Sequence, residues 1–343
     1  MNSKRCRHIA LTAVLAVGLA ACGGGTGAQS GGTDGKSIAN VVPGALGDQS
    51  FYDDAESGVT TLKSSGYKTS TLQADASNPA QWKANLQSVS TGQFGLVVMG
   101  SSTAADTMTE TAPKFPDQKY VFYDGEIKAP NVASLTYKQN EGSFLAGVLA
   151  ALVTTENKDF PLASGSKTIG LVGGMDIPVI HDFAEGFKAG AKAVSPDVKV
   201  LTSFVGSFSD SAKGYDQAKA MFDQKADVVY QVAGGAGVGV LQAAKDAGKY
   251  AIGVDSNQNE VQAGHVLASM LKHVGASIVQ VAKENEKGAL PVGKTTSFGL
   301  ANDGVGLTYD DNGGIVPQAV IAKVDEYKQK VVSGEIKVPT VLG

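Results

Sequence analysis

Two oppositely charged residues end two successive β-rich runs of the chain. Asp255 follows the apolar run from Tyr250 to Val254, and Lys272 ends the run from Val266 to Leu271. Because parallel strands point their carboxyl ends to one edge of a sheet, we expect both side chains at that edge. A carboxylate that accepts from two vicinal hydroxyls, beside an ammonium that donates to one of them, suits a cis-diol. The alternative interpretation is a simple surface salt bridge.

Two phenylalanines stand at predicted entrances to helices. Phe51 follows a Gly-Ala-Leu-Gly-Asp loop and precedes a helical pattern, which places it at a strand-to-helix junction where it can stack on a flat ring. Phe183 is predicted at the start of another helix. Each ring has a structural alternative, because Phe51 can pack the helix entry and Phe183 can join Phe187 in a core-facing stripe. Asp48 is predicted to cap the helix that follows it.

Arginine is absent from the chain beyond Arg7. Receptors for carboxylates and phosphates usually bind the anion through bidentate hydrogen bonds from an arginine guanidinium group. This absence favours a neutral, hydroxyl-rich ligand, although a helix N-terminus or a lysine can also bind an anion. The formal net charge is −4, and it becomes −7 once Lys4, Arg5 and Arg7 are removed. An acidic chain without a Lys/Arg cluster argues against a nucleic-acid partner.

No metal, cofactor or catalytic group is predicted. His181, His265 and His273 lack metal-ligand spacing, and we find no pairing of a nucleophile with a base. The run from Gly234 to Gly239 follows a strand but lacks the dinucleotide-binding spacing, so we interpret it as a close approach of backbone to a ligand. The sequence therefore predicts a binding protein rather than an enzyme.

The N-terminus has the features of an exported lipoprotein. Positive charges precede an apolar stretch from Ile9 to Ala20, which is shorter than the roughly 20 residues of a bilayer-spanning helix. The tetrapeptide Leu-Ala-Ala-Cys ends at Cys22, the predicted lipidation site. We expect a signal peptide over 1–21 and a lipidated, Gly/Ser-rich tether over 22–37. Cys6 and Cys22 are the only cysteines, so the mature chain would have no disulfide.

From Ser37 onward, short apolar runs alternate with helical patterns, which is typical of an α/β fold with parallel sheets covered on both faces. The predicted strands are Ile38 to Val42, Thr69 to Leu72, Leu96 to Met99, Tyr120 to Tyr123, Val132 to Thr136, Ile169 to Val172, Val198 to Phe204, Val228 to Val232, Ala251 to Val254 and Val266 to Met270. The series resembles two successive βαβ sets. We predict an N-terminal lobe over 38–136 plus 256–290 and a C-terminal lobe over 137–255 plus 291–343, with a ligand cleft between them.

The motifs resemble those of the basic membrane protein family, the purine nucleoside receptor type of substrate-binding lipoprotein. They are Gly-Asp-Gln-Ser-Phe-Tyr-Asp at 47–53, Val-Phe-Tyr-Asp at 121–124, Gln-Asn-Glu-Gly-Ser-Phe-Leu-Ala-Gly at 139–147, Asp-Phe-Ala-Glu-Gly-Phe at 182–187, Gly-Val-Asp-Ser-Asn-Gln at 253–258 and Ala-Ser-Met-Leu-Lys at 268–272. Each motif alone is weak, but their order and spacing are specific. The resemblance implies a type I periplasmic-binding-protein fold, with two Rossmann-like lobes joined by a hinge.

The resemblance also implies roles for individual residues. Phe51 and Phe183 would stack on a purine, Asp124 would read the base edge, and Asp255 with Lys272 would hold the ribose. Asp124 ends an apolar strand, where its carboxylate can accept N–H groups; the alternative is a turn aspartate before Gly125.

Further pocket positions follow from the same resemblance. Gly234 would let backbone approach the sugar. Tyr52 and Val42-Pro43 depart from the family, which often has Asn and Asp at these positions.

The expected function is capture of a nucleoside, most simply a purine nucleoside, for an ABC importer. The partners would be a membrane permease and, through the N-terminal lipid, the extracytoplasmic face of the cell membrane. The alternative is a receptor of the same fold for a free sugar or a sugar-like signal. A nucleoside hydrolase is a third possibility, for which the sequence offers no catalytic pair.

Overall fold

The computed structural model describes residues 35–342. The predicted signal peptide, Cys22 and most of the predicted tether lie outside the described residues. The strands within this range are β1 (Ser37–Val42), β2 (Lys68–Gln73), β3 (Leu96–Gly100), β4 (Tyr120–Tyr123), β5 (Val132–Tyr137), β6 (Thr168–Gly173), β7 (Lys199–Phe204), β8 (Val228–Val232), β9 (Tyr250–Asp255), β10 (Val266–Lys272), β11 (Thr295–Phe298) and β12 (Val305–Thr308). The α-helices are α1 (Phe51–Ser64), α2 (Pro79–Val89), α3 (Ala105–Thr111), α4 (Gln139–Thr155), α5 (Pro178–Val194), α6 (Ser211–Asp223), α7 (Gly237–Asp246), α8 (Val274–Glu286) and α9 (Gln318–Val332).

The strands form two six-stranded sheets, one in each lobe. The first sheet has the order β11-β5-β4-β3-β1-β2 and is parallel throughout. The second has the order β12-β10-β9-β8-β6-β7 and is parallel except for β12, which is antiparallel to β10. Central strands such as β3 and β8 are buried along their whole length, because helices cover both faces of a parallel sheet. This arrangement confirms the predicted fold class of two α/β lobes.

The chain crosses between the lobes at three places. Lys138 leads from β5 of the first lobe into α4 of the second, and His273 leads from β10 back to α8, which packs on α1. The segment from Gly299 to Gly304 then connects β11 of the first sheet to β12 of the second. The crossings are hydrogen-bonded to each other, since Lys138 N donates to Phe298 O at 2.7 Å and His273 N donates to Gly304 O at 3.1 Å. Together they form the hinge.

Helices α4 and α5 pack in backbone contact within the second lobe. A Cβ atom on Gly147 would lie 2.1 Å from Phe187 O, and one on Gly190 would lie 2.0 Å from Phe144 O. Any larger side chain at either glycine would push the helices apart. This close packing brings the first turns of α5 to the cleft, where Phe183 lies.

The predicted lobe boundaries are wrong for two strands. Residues 256–290 were expected in the first lobe, but β10 pairs with β9 in the second sheet. Residues 291–343 were expected in the second lobe, but β11 pairs with β5 in the first sheet. The chain leaves the second lobe at His273 rather than at about 256. An apolar strand buried on both faces fits either sheet equally well, so its hydrophobic pattern does not indicate which sheet it joins.

Phe183 was predicted at the start of its helix, whereas α5 begins at Pro178 and Phe183 lies in its second turn. A proline is favoured in the first turn of a helix because its missing N–H would have no partner there. Within residues 35–342, no helix combines the length and apolar character needed to span a membrane.

Candidate functional site

The carboxyl ends of the two sheets face each other across a cavity of about 520 Å³, part of which is open to solvent. The residues predicted to bind the ligand all line this cavity: Phe51, Tyr52, Asp124, Phe183, Gly234, Asp255 and Lys272. Since they come from both lobes, movement about the hinge would open and close the site.

The loop before α1 is held rigidly by two carboxylates. Asp48 accepts backbone N–H groups from Ser50, Tyr52 and Asp53 at 2.9–3.1 Å, and Asp53 accepts those of Gly47 and Gln49 at 2.7 and 2.8 Å. The bonds from Tyr52 and Asp53 to Asp48 satisfy N–H groups that the first turn of α1 leaves without partners, and those from Gly47 and Gln49 to Asp53 fix the loop. Asp48 therefore has the capping role that we predicted, and it fixes the position of Phe51 at the cavity wall.

Asp124 lies directly after β4 in the left-handed backbone region, with φ of 66°. Its backbone N donates to Leu135 O at 2.8 Å, which fixes the turn at the cleft edge of the sheet. The carboxylate of Asp124 forms an ion pair with the ammonium group of Lys272 across the cleft. The sequence had paired Lys272 with Asp255 instead.

Lys272 is the most deeply buried charged group of the cavity, with 1% of the residue exposed. Its Nζ lies 5.3 Å from the ring centre of Phe51, 5.1 Å from that of Tyr137 and 5.3 Å from that of Phe183. Ring faces attract a cation, and the attraction is strongest where water is excluded. Aromatic faces and the Asp124 carboxylate together stabilise the buried positive charge.

Asp255 is the last residue of β9 and also has a positive φ, 65°. Burial, which leaves 7% of the residue exposed, raises the pKa of Asp255 to about 7, against the lowering effects of nearby Lys272 and of a hydrogen bond from Ser50. The Ser50 hydroxyl belongs to the first lobe and donates to Asp255 Oδ2 at 2.7 Å. In its ionised form the Asp255 carboxylate can accept hydrogen bonds from hydroxyl groups.

Direct hydrogen bonds join the two lobes beside Asp255. Ser256 Oγ donates to Ser50 O at 2.9 Å, and Gln258 Nε2 donates to Gln49 O at 2.8 Å. Gln258 is itself fixed, because its side-chain oxygen accepts from Gln231 Nε2 at 2.6 Å and from Val254 N at 3.0 Å. The loop before α1 is thus hydrogen-bonded directly to the second lobe.

Gly234 has a φ of 55°, a conformation that other residues adopt with strain. A Cβ atom there would lie 3.4 Å from Phe208 O, and one on the neighbouring Gly235 would lie 3.7 Å from Asp48 of the opposite lobe. A side chain at either glycine would thus be in ordinary van der Waals contact with Phe208 or the α1 loop. Approach of this backbone to a ligand stays a prediction.

Tyr52 lies on the first-lobe wall of the cavity. Its hydroxyl donates a long hydrogen bond of 3.4 Å to Pro43 O, and burial raises its pKa well above the ordinary value. The two positions that depart from the family pattern, Tyr52 and Pro43, are thus in contact. The ring and the prolyl carbonyl form one continuous part of the wall.

Sequence reasoning missed Phe208, Ser101 and Ser102, which also line the cavity. Ser101 follows β3 directly, and Phe208 lies four residues beyond β7. The rule that ligands contact the carboxyl ends of parallel strands would have indicated Ser101 and Ser102. Phe208 is held in an irregular loop, and the sequence pattern does not show the loop's path.

Metal binding has no evident site in the described part of the chain. Residues 35–342 contain no group of three or more His, Cys, Asp or Glu side chains arranged to hold an ion. His181 is paired with Asp176 at 2.6 Å, and His265 Nδ1 lies 2.9 Å from Lys249 O. Both histidines have local structural partners.

Comparison with known proteins identifies the family. A family model described as "ABC transporter substrate-binding protein PnrA-like", the Bmp family, matches residues 36–341. The chain belongs to the Bmp family. Bmp-family proteins are ABC transporter substrate-binding proteins, so a small-molecule ligand, a permease partner and an extracytoplasmic position follow.

Relatives of this Bmp-family chain match it over nearly its full length. The "CD4+ T-cell-stimulating antigen" of Listeria innocua is 32% identical over 98% of this chain and 99% of the relative. The "ABC transporter nucleoside-binding protein BmpA" of Lactococcus lactis subsp. cremoris is 33% identical over 97% of this chain and 99% of the relative. Among solved structures, an ABC transporter solute-binding protein from Aeropyrum pernix has a TM-score of 0.78 and 27% identity, covering 90% of this chain and 94% of its own. The two-lobed architecture is therefore the type I periplasmic-binding-protein fold.

Proposed function

We propose that this Bmp-family protein captures a nucleoside, with preference for a purine, in the cavity between its lobes. The observation that carries the proposal is the meeting of aromatic rings from opposite lobes, Phe51 and Phe183, with Lys272 between two carboxylates. Rings suit the flat base, and the charged groups suit hydroxyls and ring N–H groups. The nucleoside-binding name of the Lactococcus relative supports the same assignment.

Asp255 and Lys272 are assigned to the sugar. Both groups are buried at the carboxyl ends of adjacent parallel strands, where Leu271 pairs with Asp255 in the sheet register. A ribose diol has two donors for the Asp255 carboxylate and an acceptor for the Lys272 ammonium. Charge-assisted hydrogen bonds in a buried site discriminate strongly against a ligand that lacks the hydroxyls.

Asp124 is assigned to the base. Its carboxylate lies on the first-lobe side of the cavity, near the Phe51 ring and paired with Lys272. If Asp124 accepted hydrogen bonds from N–H groups of the base, its pairing with Lys272 would weaken. The Lys272 ammonium could then donate to the sugar. Base and sugar recognition would then be linked through one ammonium group.

The charges of the cavity favour a neutral ligand. Asp48, Asp124 and Asp255 line the cavity together with one cationic residue, Lys272, and the chain has no arginine beyond Arg7. A nucleoside phosphate would bring two negative charges towards these carboxylates without a guanidinium partner. We therefore expect nucleosides to bind and nucleotides to be rejected.

A thermal-shift panel tests the proposal. Adenosine, guanosine and inosine should raise the melting temperature, whereas adenosine monophosphate, amino acids and free ribose should have little effect at the same concentration, since the stabilisation grows with the logarithm of ligand concentration relative to Kd. A larger shift with ribose than with every nucleoside would favour the free-sugar alternative. Formation of free base during long incubation would indicate hydrolysis.

We further propose that Cys22 carries a lipid that anchors the protein beside its permease. The sequence around Cys22 has the small residues expected before a lipidated cysteine. Cys22→Ala should give a precursor that no longer partitions with membranes during cell fractionation. Unchanged membrane association of this variant would contradict lipid anchoring.

A further inference from the structure

Tyr137 is a buried aromatic residue at the point where the lobes meet. Its ring centre lies 5.1 Å from Lys272 Nζ, slightly closer than the ring centres of Phe51 and Phe183. Tyr137 closes the first sheet's strand β5, whereas Lys272 closes the second sheet's strand β10. The ring therefore meets the ammonium across the boundary between the lobes.

Tyr137 also contacts segments next to the hinge. It directly precedes the first crossing at Lys138, and its ring stacks on Phe298, with centres 5.7 Å apart and planes 26° apart. Phe298 ends β11, immediately before the third crossing. The Tyr137 hydroxyl is hydrogen-bonded to Ser277 Oγ, in the first turn of α8 after the second crossing. Tyr137 thus precedes the first crossing in the chain, and its side chain contacts residues next to the other two.

We propose that Tyr137 is a positioning residue that holds the Lys272 ammonium in place for the ligand and couples it to the hinge. This proposal rests on the proposed function, in which Lys272 donates to the sugar. The ring moves with the first lobe and the ammonium with the second, so their contact depends on the angle between the lobes. Closure would bring the cation onto the ring face at the same time as it assembles the site.

A double-mutant cycle tests whether Tyr137 acts through Lys272. Calorimetric titration would use adenosine or guanosine, whichever binds the wild type more tightly. Tyr137→Leu should weaken binding by about fivefold to thirtyfold, the range that a desolvated cation–π contact supplies. In a Lys272→Met background the same change should cost less than about twofold. Tyr137→Phe keeps the ring and should stay within about threefold of wild type.

Tyr250→Leu is a matched control. Tyr250 is as deeply buried as Tyr137 but begins β9, at the edge of the second sheet opposite the cleft, where its ring packs edge-on against Phe160. Its replacement should lower the melting temperature without changing affinity. An equal loss of affinity from Tyr137→Leu with and without Lys272 would overturn the proposal.

A second readout does not depend on the ligand. In protein labelled with ¹³C at the lysine Cε position, the Lys272 signal should be shifted upfield by the surrounding rings, and Lys272→Met identifies it. Tyr137→Leu should move this signal downfield, whereas Tyr250→Leu should not. An unmoved signal would overturn the positioning role even if adenosine and guanosine both bind. Failure of both nucleosides to bind the wild type would instead contradict the proposed function, and the NMR shift would still decide the role of Tyr137.

Discussion

Ser50 of the first lobe donates a 2.7 Å hydrogen bond to the buried carboxylate of Asp255 in the second lobe. The bond forms where Ser256 and Gln258 also reach across to the α1 loop. The carboxylate assigned to the sugar is therefore also part of the contact that closes the lobes. A change at Asp255 should affect both ligand recognition and lobe closure.

Asp255→Asn should weaken ribonucleoside binding about tenfold or more. The substitution keeps the size of the side chain but removes the charge, and charge-assisted hydrogen bonds contribute roughly 1.5–3 kcal/mol, where about 1.4 kcal/mol corresponds to tenfold. A 2′,3′-dideoxynucleoside offers no diol, so the wild type should bind it poorly and the variant hardly less well. Lys272→Met should show the same selectivity in calorimetric titration. Equal losses for both ligands would mean that the pair only shapes the cavity.

Nucleoside affinity should rise with pH until about pH 7 and then level off. Burial raises the pKa of Asp255 to about 7, and diol hydroxyls donate to the ionised form. Binding below pH 7 must therefore release a proton, at a cost that approaches tenfold in affinity per pH unit. Titrations from pH 5.5 to 8.5 in buffers of different ionisation enthalpy measure both effects. A flat profile in the wild type, or an unchanged slope in Asp255→Asn, would show that another group controls binding.

The raised pKa of Asp255 makes the protein without nucleoside more stable at low pH, whereas it makes nucleoside binding weaker at low pH. The folded protein without nucleoside binds a proton at Asp255 more tightly than the unfolded chain does. Its contribution to the free energy of unfolding is fully present below the unfolded pKa of roughly 4 and is lost as the pH rises through about 7. Denaturant titrations should therefore show that the free energy of unfolding changes differently with pH in wild type and in Asp255→Asn between roughly pH 4 and pH 7.

Phe51→Ala and Phe183→Ala should each weaken nucleoside binding by about 1–3 kcal/mol if the base stacks on these rings. Phe183 is also part of the hydrophobic core, with 3% exposed, so its loss should lower stability by about 3–5 kcal/mol as well. Phe51 is less buried and should mainly affect binding. Phe187→Ala is the control, since Phe187 lies one turn further along α5 in the core. If Phe51→Ala or Phe183→Ala kept the nucleoside affinity of the wild type, the ring removed would belong to the core and not to the binding site.

Asp227→Asn should destabilise the protein by about 3–5 kcal/mol, the cost of breaking a buried charge pair, without changing affinity. Asp227 is fully buried immediately before β8, away from the cleft, and accepts from Lys249 Nζ at 2.8 Å, Ser164 N at 2.7 Å and Thr154 Oγ1 at 2.7 Å. Burial alone would raise its pKa, but these bonds together lower it below the usual range.

The stabilising contribution of Asp227 is therefore present above the unfolded pKa of roughly 4 and is lost as the pH falls through the lower folded value. Asp223→Asn breaks an exposed pair with Lys219 and should change stability far less, because solvent screens exposed ion pairs. Urea titrations of both variants compare the two effects. Similar small losses would show that the Asp227 pair contributes little net stability.

The sequence indicated where the site residues emerge but not how they pair. Asp124, Asp255 and Lys272 end apolar strands, and the geometry of parallel sheets places such residues at the cleft. The pairing of Lys272 with Asp124 depends on how the lobes close, which no local pattern encodes. The assignment of β10 and β11 to their sheets was missed for a related reason, since strand hydrophobicity is the same in either sheet. Phe208 was missed because its position depends on the path of a loop.

Calorimetric titration of the wild type with a purine ribonucleoside, with ribose and with the free base shows whether the cavity recognises base and sugar together. We expect 1:1 binding of adenosine or guanosine at least about a hundredfold tighter than binding of either ribose or the free base, because rings and charged groups each contribute about 1–3 kcal/mol and act on one linked ligand. Binding of ribose or of the free base as tight as that of the nucleoside would contradict nucleoside capture.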